Sequence, residues 1–190
     1  MKRGVVLACA LASLAFGAST SEAAAIRKWS VEAGVAGGYN KVDADAELQD
    51  SSISGIRVGL AIAPSFSVEA FIDSTSTESA QQVFAGSDFS QDSIGLRLIG
   101  TFRSTEDVKA MPYIVAGGGQ IKTDFDPGTG AALESDEASF GEIGGGVRYF
   151  VWKGFSVRGE FAIRQYRTLD VTHADSLFTV GLSWMLGGKK

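Results

Sequence analysis

The chain has 190 residues, 24 glycines, three prolines and a formal net charge of −5. This length suits a single domain, and the composition suits a turn-rich β-protein better than a helical one. The acidic balance argues against a nucleic-acid partner, because phosphates call for a basic patch.

Residues 1–25 are predicted to be a signal peptide for export. Lys2 and Arg3 precede an apolar run over 5–18, and the alanines at 23–25 supply small residues before a cleavage point at Ile26. The alternative is a membrane-anchoring helix, but the run is shorter than the roughly 20 residues that such a helix needs. The single cysteine lies in this segment, so the exported chain would have no disulfide.

Apolar residues alternating with small or charged ones, the side-chain period of a β-strand, recur along the rest of the chain. Each run has roughly the 9 to 11 residues of a tilted membrane strand. Long polar connections follow every second run, and the other connections are generally shorter. This rhythm predicts an all-β fold, an eight-stranded antiparallel up-and-down transmembrane β-barrel over residues 26–190. In chain order, the predicted strands are 28–40, 53–63, 66–73, 93–102, 112–122, 144–150, 155–164 and 176–186.

One face of every predicted strand lacks Asp, Glu, Lys and Arg. In the fifth strand we assign Tyr113 and Val115 to this face, and Ile114 and Lys122 to the other. Aromatic residues gather on the uncharged face near the short turns, as in the aromatic girdles of membrane barrels. The predicted girdle comprises Trp29, Phe66, Phe102, Tyr113, Tyr149, Phe155 and Trp184.

The opposite face combines glycine with charges of both signs. A soluble barrel would expose this face to water and bury the apolar one, whereas a membrane barrel does the reverse. Small residues beside a few long charged ones suit the narrow interior of eight strands, where opposite charges can pair. We therefore favour the membrane barrel. The charges predicted to form a network in its lumen are Glu32, Arg57, Glu69, Arg97, Glu142, Arg148, Arg158 and Glu160, and Arg164 shares their face.

The glycine-rich strands, the segment 112–119 (Pro-Tyr-Ile-Val-Ala-Gly-Gly-Gly) and the segment 146–150 (Gly-Val-Arg-Tyr-Phe) resemble the outer-membrane protein β-barrel family. That family includes the transmembrane domain of outer membrane protein A and small surface barrels. The resemblance implies residence in the outer membrane of a Gram-negative cell envelope. It also implies contact with outer-membrane lipid and lipopolysaccharide, and with periplasmic chaperones and the barrel-insertion machinery. This machinery often reads a terminal aromatic residue, whereas here Trp184 and Leu186 are followed by Gly-Gly-Lys-Lys at 187–190.

The predicted function is a structural or surface-interaction role, with polar loops outside and both chain termini in the periplasm. The loop ligand is unknown, because such loops carry no transferable motif. A small porin-like channel is the first alternative, although eight strands leave little free lumen. A lipid A deacylase or acyltransferase is the second, resting on His173 and Ser176 near the loops, and we expect no enzyme activity.

No cofactor or metal site is expected. The acidic loop residues Asp43, Asp45 and Glu47, or Asp124 and Asp126, offer oxygen ligands that Ca²⁺ accepts. Their spacing matches no known calcium loop, so solvated loop charge is the preferred interpretation.

Overall fold

The structure is a computed structural model that describes residues 26–41, 51–78, 88–102, 109–126, 134–152, 154–168 and 171–189. The predicted signal peptide and the acidic residues at 43–47 lie outside these ranges. No helix within them is long and apolar enough to cross a membrane. The strands are β1 Lys28–Lys41, β2 Ser51–Ala63, β3 Phe66–Glu78, β4 Asp88–Thr101, β5 Ala110–Asp126, β6 Glu134–Trp152, β7 Phe155–Thr168 and β8 Val171–Lys189.

The eight strands form one closed barrel in which each strand pairs with its neighbours in sequence. β1 pairs antiparallel with β8 from Lys28↔Lys189 to Lys41↔Ser176. This seam closes the ring, so no strand keeps a free edge. The predicted fold class is therefore confirmed.

The two ends of the barrel differ. One end, here called the turn end, carries the start of β1, the end of β8 and the tight connections from β2 to β3 and from β6 to β7. In the second connection Gly154 has a φ of 73°, a left-handed conformation that glycine adopts without steric cost. The opposite end is called the loop end.

The strands extend further toward the loop end than the apolar alternation predicts. β3 continues to Glu78 and β4 begins at Asp88, within a stretch predicted as loop over 74–91. The loop predicted over 165–175 is also mostly strand, because Gln165 pairs with Ala174 and Thr168 with Val171. Backbone hydrogen bonding between the strands continues beyond the apolar band. The paired residues there are polar, so the apolar alternation of the sequence does not reveal these parts of the strands.

The barrel is apolar outside and polar inside. Large apolar side chains on the outward face have no protein cover: Ile143 is 66% exposed, Val180 62% and Leu96 61%. The charged side chains at the alternate, inward positions of the same strands are buried, among them Arg97 and Arg148 at 2% and 1% exposure. This distribution of apolar and charged side chains is the reverse of that in a water-soluble protein and is typical of barrels that face lipid.

The face assignment of β5 was wrong. Tyr113 and Val115 are 2% and 1% exposed and point into the lumen, whereas Ile114 is 56% exposed and points outward. Tyr113 is therefore not part of an outward aromatic girdle. β5 is apolar on both faces and rich in glycine, so its own alternation does not specify an orientation. Pairing of Gly117 with Arg97 and with Glu142 sets the register.

Candidate functional site

The interior of the barrel holds a network of buried ion pairs. The ten residues that we describe are five arginines and five carboxylates, whose formal charges cancel. Each sits at an inward position of a strand, and the alternation of β-structure repeats these positions every second residue. The ten residues are Glu32, Arg57, Glu69, Asp73, Arg97, Glu142, Arg148, Arg158, Glu160 and Arg164.

Glu160 on β7 is the centre of the network. Its Oε1 lies 3.0 Å from Nη1 of Arg57 and 2.8 Å from Nη1 of Arg97. Its Oε2 lies 3.2 Å from Nη2 of Arg158 and accepts a hydrogen bond of 2.8 Å from the Tyr113 hydroxyl. Both carboxylate oxygens thus have charged partners, which offsets the cost of removing this carboxylate from water.

A second set of pairs extends toward the turn end. Arg148 donates to Oε2 of Glu32 at 2.5 Å, and Arg158 lies 3.6 Å from the other oxygen of Glu32. Arg158 also donates to Glu69. Nε of Arg97 approaches Glu69 at 3.0 Å but is not aligned for a hydrogen bond, so this contact is an ion pair only.

A third set extends toward the loop end. Arg164 lies 3.0 Å from Oε2 of Glu142 and 3.2 Å from Oδ2 of Asp73, and it donates to the Ser93 hydroxyl at 2.9 Å. Arg97 reaches the other oxygen of Glu142 at 3.2 Å. The three sets therefore form one continuous network.

Inward glycines make room for these long side chains. A Cβ on Gly117 would lie 2.5 Å from Cβ of Arg97, and a Cβ on Gly95 would lie 2.7 Å from the Phe71 ring. Real Cβ atoms do not approach so closely. The glycines of the polar face are therefore packing partners of the charged and aromatic residues on adjacent strands.

Two apolar clusters border the charges. On the loop side, the guanidinium of Arg164 lies 4.4 Å from the centre of the Phe140 ring, close enough for a cation–π contact. The cluster toward the loop end contains Phe71, Ile121, Phe140 and Tyr166, and that toward the turn end contains Ile26, Ala61, Met111 and Phe150.

Beside Arg57 and Arg158 a cavity of about 10 Å³ has room for about one water molecule.

The lumen residues proposed from the sequence all lie in this network. Sequence reasoning missed Asp73, although it follows Glu69 at a spacing of four and so shares its face. It also missed Tyr113, because that residue was assigned to the outside. Thr179, which accepts a 3.4 Å hydrogen bond from Arg57, had no charge or motif to identify it.

The other aromatic residues of the predicted girdle point outward near the turn end. Trp29, Phe66, Phe102, Tyr149 and Trp184 are 38–51% exposed. Phe155 is half-buried, and its ring centre lies 6.2 Å from that of Trp184. The structure adds Trp152, 6.3 Å from the same ring. The interfacial role of these residues stays a prediction.

His173 and Ser176 do not meet. His173 stacks beside Tyr166 with ring centres 5.3 Å apart on the inner face of β8. Ser176 is three residues further along the strand, pairs with outward-pointing Ile163 and so belongs to the outer face. This arrangement offers no histidine base to the serine hydroxyl. Among the described residues, no group of His, Cys, Asp and Glu could hold a metal ion.

Comparison with known proteins identifies the architecture. Residues 8–185 match the family described as "Outer membrane protein beta-barrel domain". A search of curated proteins found no match.

Solved structures give the same fold at low sequence identity. Neisserial surface protein A has a TM-score of 0.61 and 16% identity, over 82% of this chain and 96% of that one. The N-terminal β-barrel domain of OprF from Pseudomonas aeruginosa has 0.53 and 15%, over 84% and 100%. Ail, the attachment invasion locus protein of Yersinia pestis, has 0.50 and 16%, over 84% and 100%. Identities this low show likeness of fold alone.

Proposed function

Because the chain belongs to the outer membrane protein beta-barrel family, we propose that it is a closed outer-membrane barrel with a structural or surface-interaction role. The observation that carries this proposal is the neutral ion-pair network across the lumen. Its contacts join strands that are not neighbours: Arg57 on β2 reaches Glu160 on β7, and Arg148 on β6 reaches Glu32 on β1. Side chains that bridge the lumen occupy the path that a permeant ion would need.

The charge balance further disfavours conduction. A selective pore lines its pathway with carbonyl oxygens or with charged side chains of one sign, which replace the hydration shell of the ion that it passes. Here each of the ten charged side chains lies in an ion pair with a group of opposite charge, and apolar clusters border them on both sides. An ion entering the lumen would have to lose its hydration shell without gaining a free protein charge.

Planar-bilayer recording tests the closed lumen against the porin-like alternative. The purified, folded protein should give no steady openings under conditions in which a large porin conducts. Steady openings of one reproducible size would establish a channel and contradict the closed barrel.

The proposed orientation places the turn end in the periplasm and the loop end outside. Residues 1–25 would be removed on export, and the barrel-insertion machinery would place the apolar band in contact with lipid and lipopolysaccharide. The short connections of the turn end and both described chain ends lie on one side, as in bacterial outer-membrane barrels. An extracellular ligand would then meet the loop end, and two structural relatives have names that refer to surface or attachment.

Cysteine labelling of intact cells tests this orientation. Thr172 is exposed near the loop end, and Lys109 is exposed at the turn end. With Cys9 changed to Ser, T172C should react with a membrane-impermeant maleimide on intact cells, and K109C only after the outer membrane is permeabilised. If only K109C reacted on intact cells, the barrel would have the opposite orientation. If the protein were found only in a soluble fraction, where both cysteines reacted equally, it would not be a membrane protein.

A further inference from the structure

The short segment that precedes β1 reaches inside the mouth of the barrel. Ile26 is 2% exposed and packs in one cluster with Ala61 of β2, Met111 of β5 and Phe150 of β6. In a ring of eight strands, β2 and β6 stand opposite each other. A cluster that includes residues of both therefore crosses the opening, and Ile26 contributes to its closure.

A tight turn directs Ile26 to this position. The backbone N–H of Ser30 donates to the carbonyl of Arg27 at 3.1 Å, and the Ser30 hydroxyl donates to the same oxygen at 2.7 Å. Between them Trp29 has a φ of 63°, a left-handed conformation uncommon for residues other than glycine. The turn reverses the chain from the wall of the barrel toward its axis.

The C-terminal end of β8 accommodates the turn. Gly188 has a φ of 95°, and a Cβ there would lie 2.6 Å from Cβ of Arg27 and 3.2 Å from Cβ of Ser30. Gly188 thus allows the N-terminal segment to cross the end of the barrel. This gives a structural reason for glycine at position 188.

Ile26 is not part of the strand ladder, since β1 begins at Lys28. It can leave the mouth without breaking any pairing of the barrel. Directly behind the seal lies the ion-pair network, because Met111 is the cross-strand partner of Arg148. Withdrawal of Ile26 would therefore admit water to the buried charges at the turn end.

We infer that residues 26 and 27, which precede β1, form a displaceable stopper that closes the turn end of the lumen, with Ile26 as the seal and the turn at Trp29 holding it in place. The inference extends the proposed closed barrel, but a different observation carries it. The labelling rate of a buried cysteine reports access at the turn end, whereas conductance reports passage through the whole lumen. Either can fail without the other.

The test uses Ala61→Cys as a reporter within the seal, in the full chain with Cys9→Ser. Ala61 is 3% exposed, and cysteine is close to it in size. Reaction with an impermeant maleimide, measured on the folded protein in lipid vesicles, should be slow with Ile26 present. Ile26→Gly should speed labelling about tenfold or more, whereas Ile26→Val, which keeps an apolar side chain, should change it little.

A matched pair of substitutions at Trp29 separates the effect of the turn geometry from that of losing the indole ring. Trp29→Gly and Trp29→Val both remove the ring, but only glycine adopts a φ of 63° without steric cost. The reporter should therefore stay slow with Trp29→Gly and become fast with Trp29→Val. Lys109→Cys, exposed at the same end, should label equally in every background.

Two results would overturn the stopper. The first is Ala61→Cys reacting as fast as Lys109→Cys while Ile26 is intact, which would mean that the mouth is open. The second is equal reporter rates in the Ile26→Gly and Ile26→Val backgrounds, which would mean that another part of the molecule closes the mouth.

Discussion

Tyr113 combines a buried aromatic ring with a hydroxyl that donates a hydrogen bond within the charge network. Its hydroxyl lies 2.8 Å from Glu160, and the Arg158 guanidinium lies 5.1 Å from the centre of its ring. The ring fills the lumen while the hydroxyl satisfies a carboxylate, so the residue suits a narrow polar interior.

We predict that Tyr113→Phe lowers the free energy of unfolding by about 1 to 3 kcal/mol, because it removes a hydrogen bond to a charged group. Guanidinium titration in lipid vesicles measures the change. Tyr149→Phe is the matched control, since Tyr149 is 46% exposed on the outside, and it should cost less than about 0.5 kcal/mol. Equal losses in the two variants would contradict the buried role of Tyr113.

The glycines allow a second test of packing inside the lumen. Gly117→Ala would place Cβ 2.5 Å from both Cβ of Arg97 and the carbonyl oxygen of Leu96, whereas a Cβ on Gly159 meets nothing within 4 Å. We predict a loss of about 1 to 3 kcal/mol in unfolding free energy for Gly117→Ala. Gly159→Ala should be neutral or stabilise by up to about 1 kcal/mol, by restricting the unfolded chain. The same titration distinguishes them, and similar effects would show that the polar-face glycines are not packing partners.

β5 is the strand whose orientation depends on its neighbours. It reads as apolar on both faces, with Val115 inward and Ile114 outward. The outward set then turns polar along the strand, from Ala116 and Gly118 to Gln120 and Lys122. This change marks the edge of the apolar band, and it is visible in the sequence only once the face is known.

Arginine substitutions along this face test the depth of the band. Ala116→Arg, near its centre, should lower the free energy of unfolding by about 2 to 4 kcal/mol, since a charge there faces hydrocarbon. Gln120→Arg, on the same face near the polar edge, should cost at most about 1 kcal/mol. Unfolding in vesicles measures both. If Ala116→Arg were harmless, residue 116 would not face lipid.

The ion pairs connect opposite sides of the barrel wall across its axis. Arg158 on β7 contacts Glu69 on β3, its opposite strand in the ring. Burial makes each charge depend on its partners, because removing one partner leaves the other unpaired away from water. The network thus favours one register among the many that glycine-rich strands allow.

A double-mutant cycle at Glu32 and Arg148 measures this dependence. Each single change, Glu32→Gln or Arg148→Met, should lower the free energy of unfolding by about 3 to 5 kcal/mol, because it leaves a buried partner charge. The double variant should lose less than the sum by about 0.5 to 3 kcal/mol. Simple additivity would show that the 2.5 Å contact contributes no coupling to stability.

The alternation of apolar with small or charged residues was enough to predict the number of strands, the closed barrel and the inward position of the charged residues. These follow from local alternation, since a strand with charge on one face and apolar groups on the other has one orientation in a membrane barrel. The orientation of β5, the ends of the strands and the partners of each charge became known only from the three-dimensional arrangement. Alternation cannot orient a strand that is apolar on both faces, and it cannot show which residues meet across a lumen. The buried position of Ile26 also could not be predicted from the sequence, because it depends on a turn and on a C-terminal glycine more than 160 residues away.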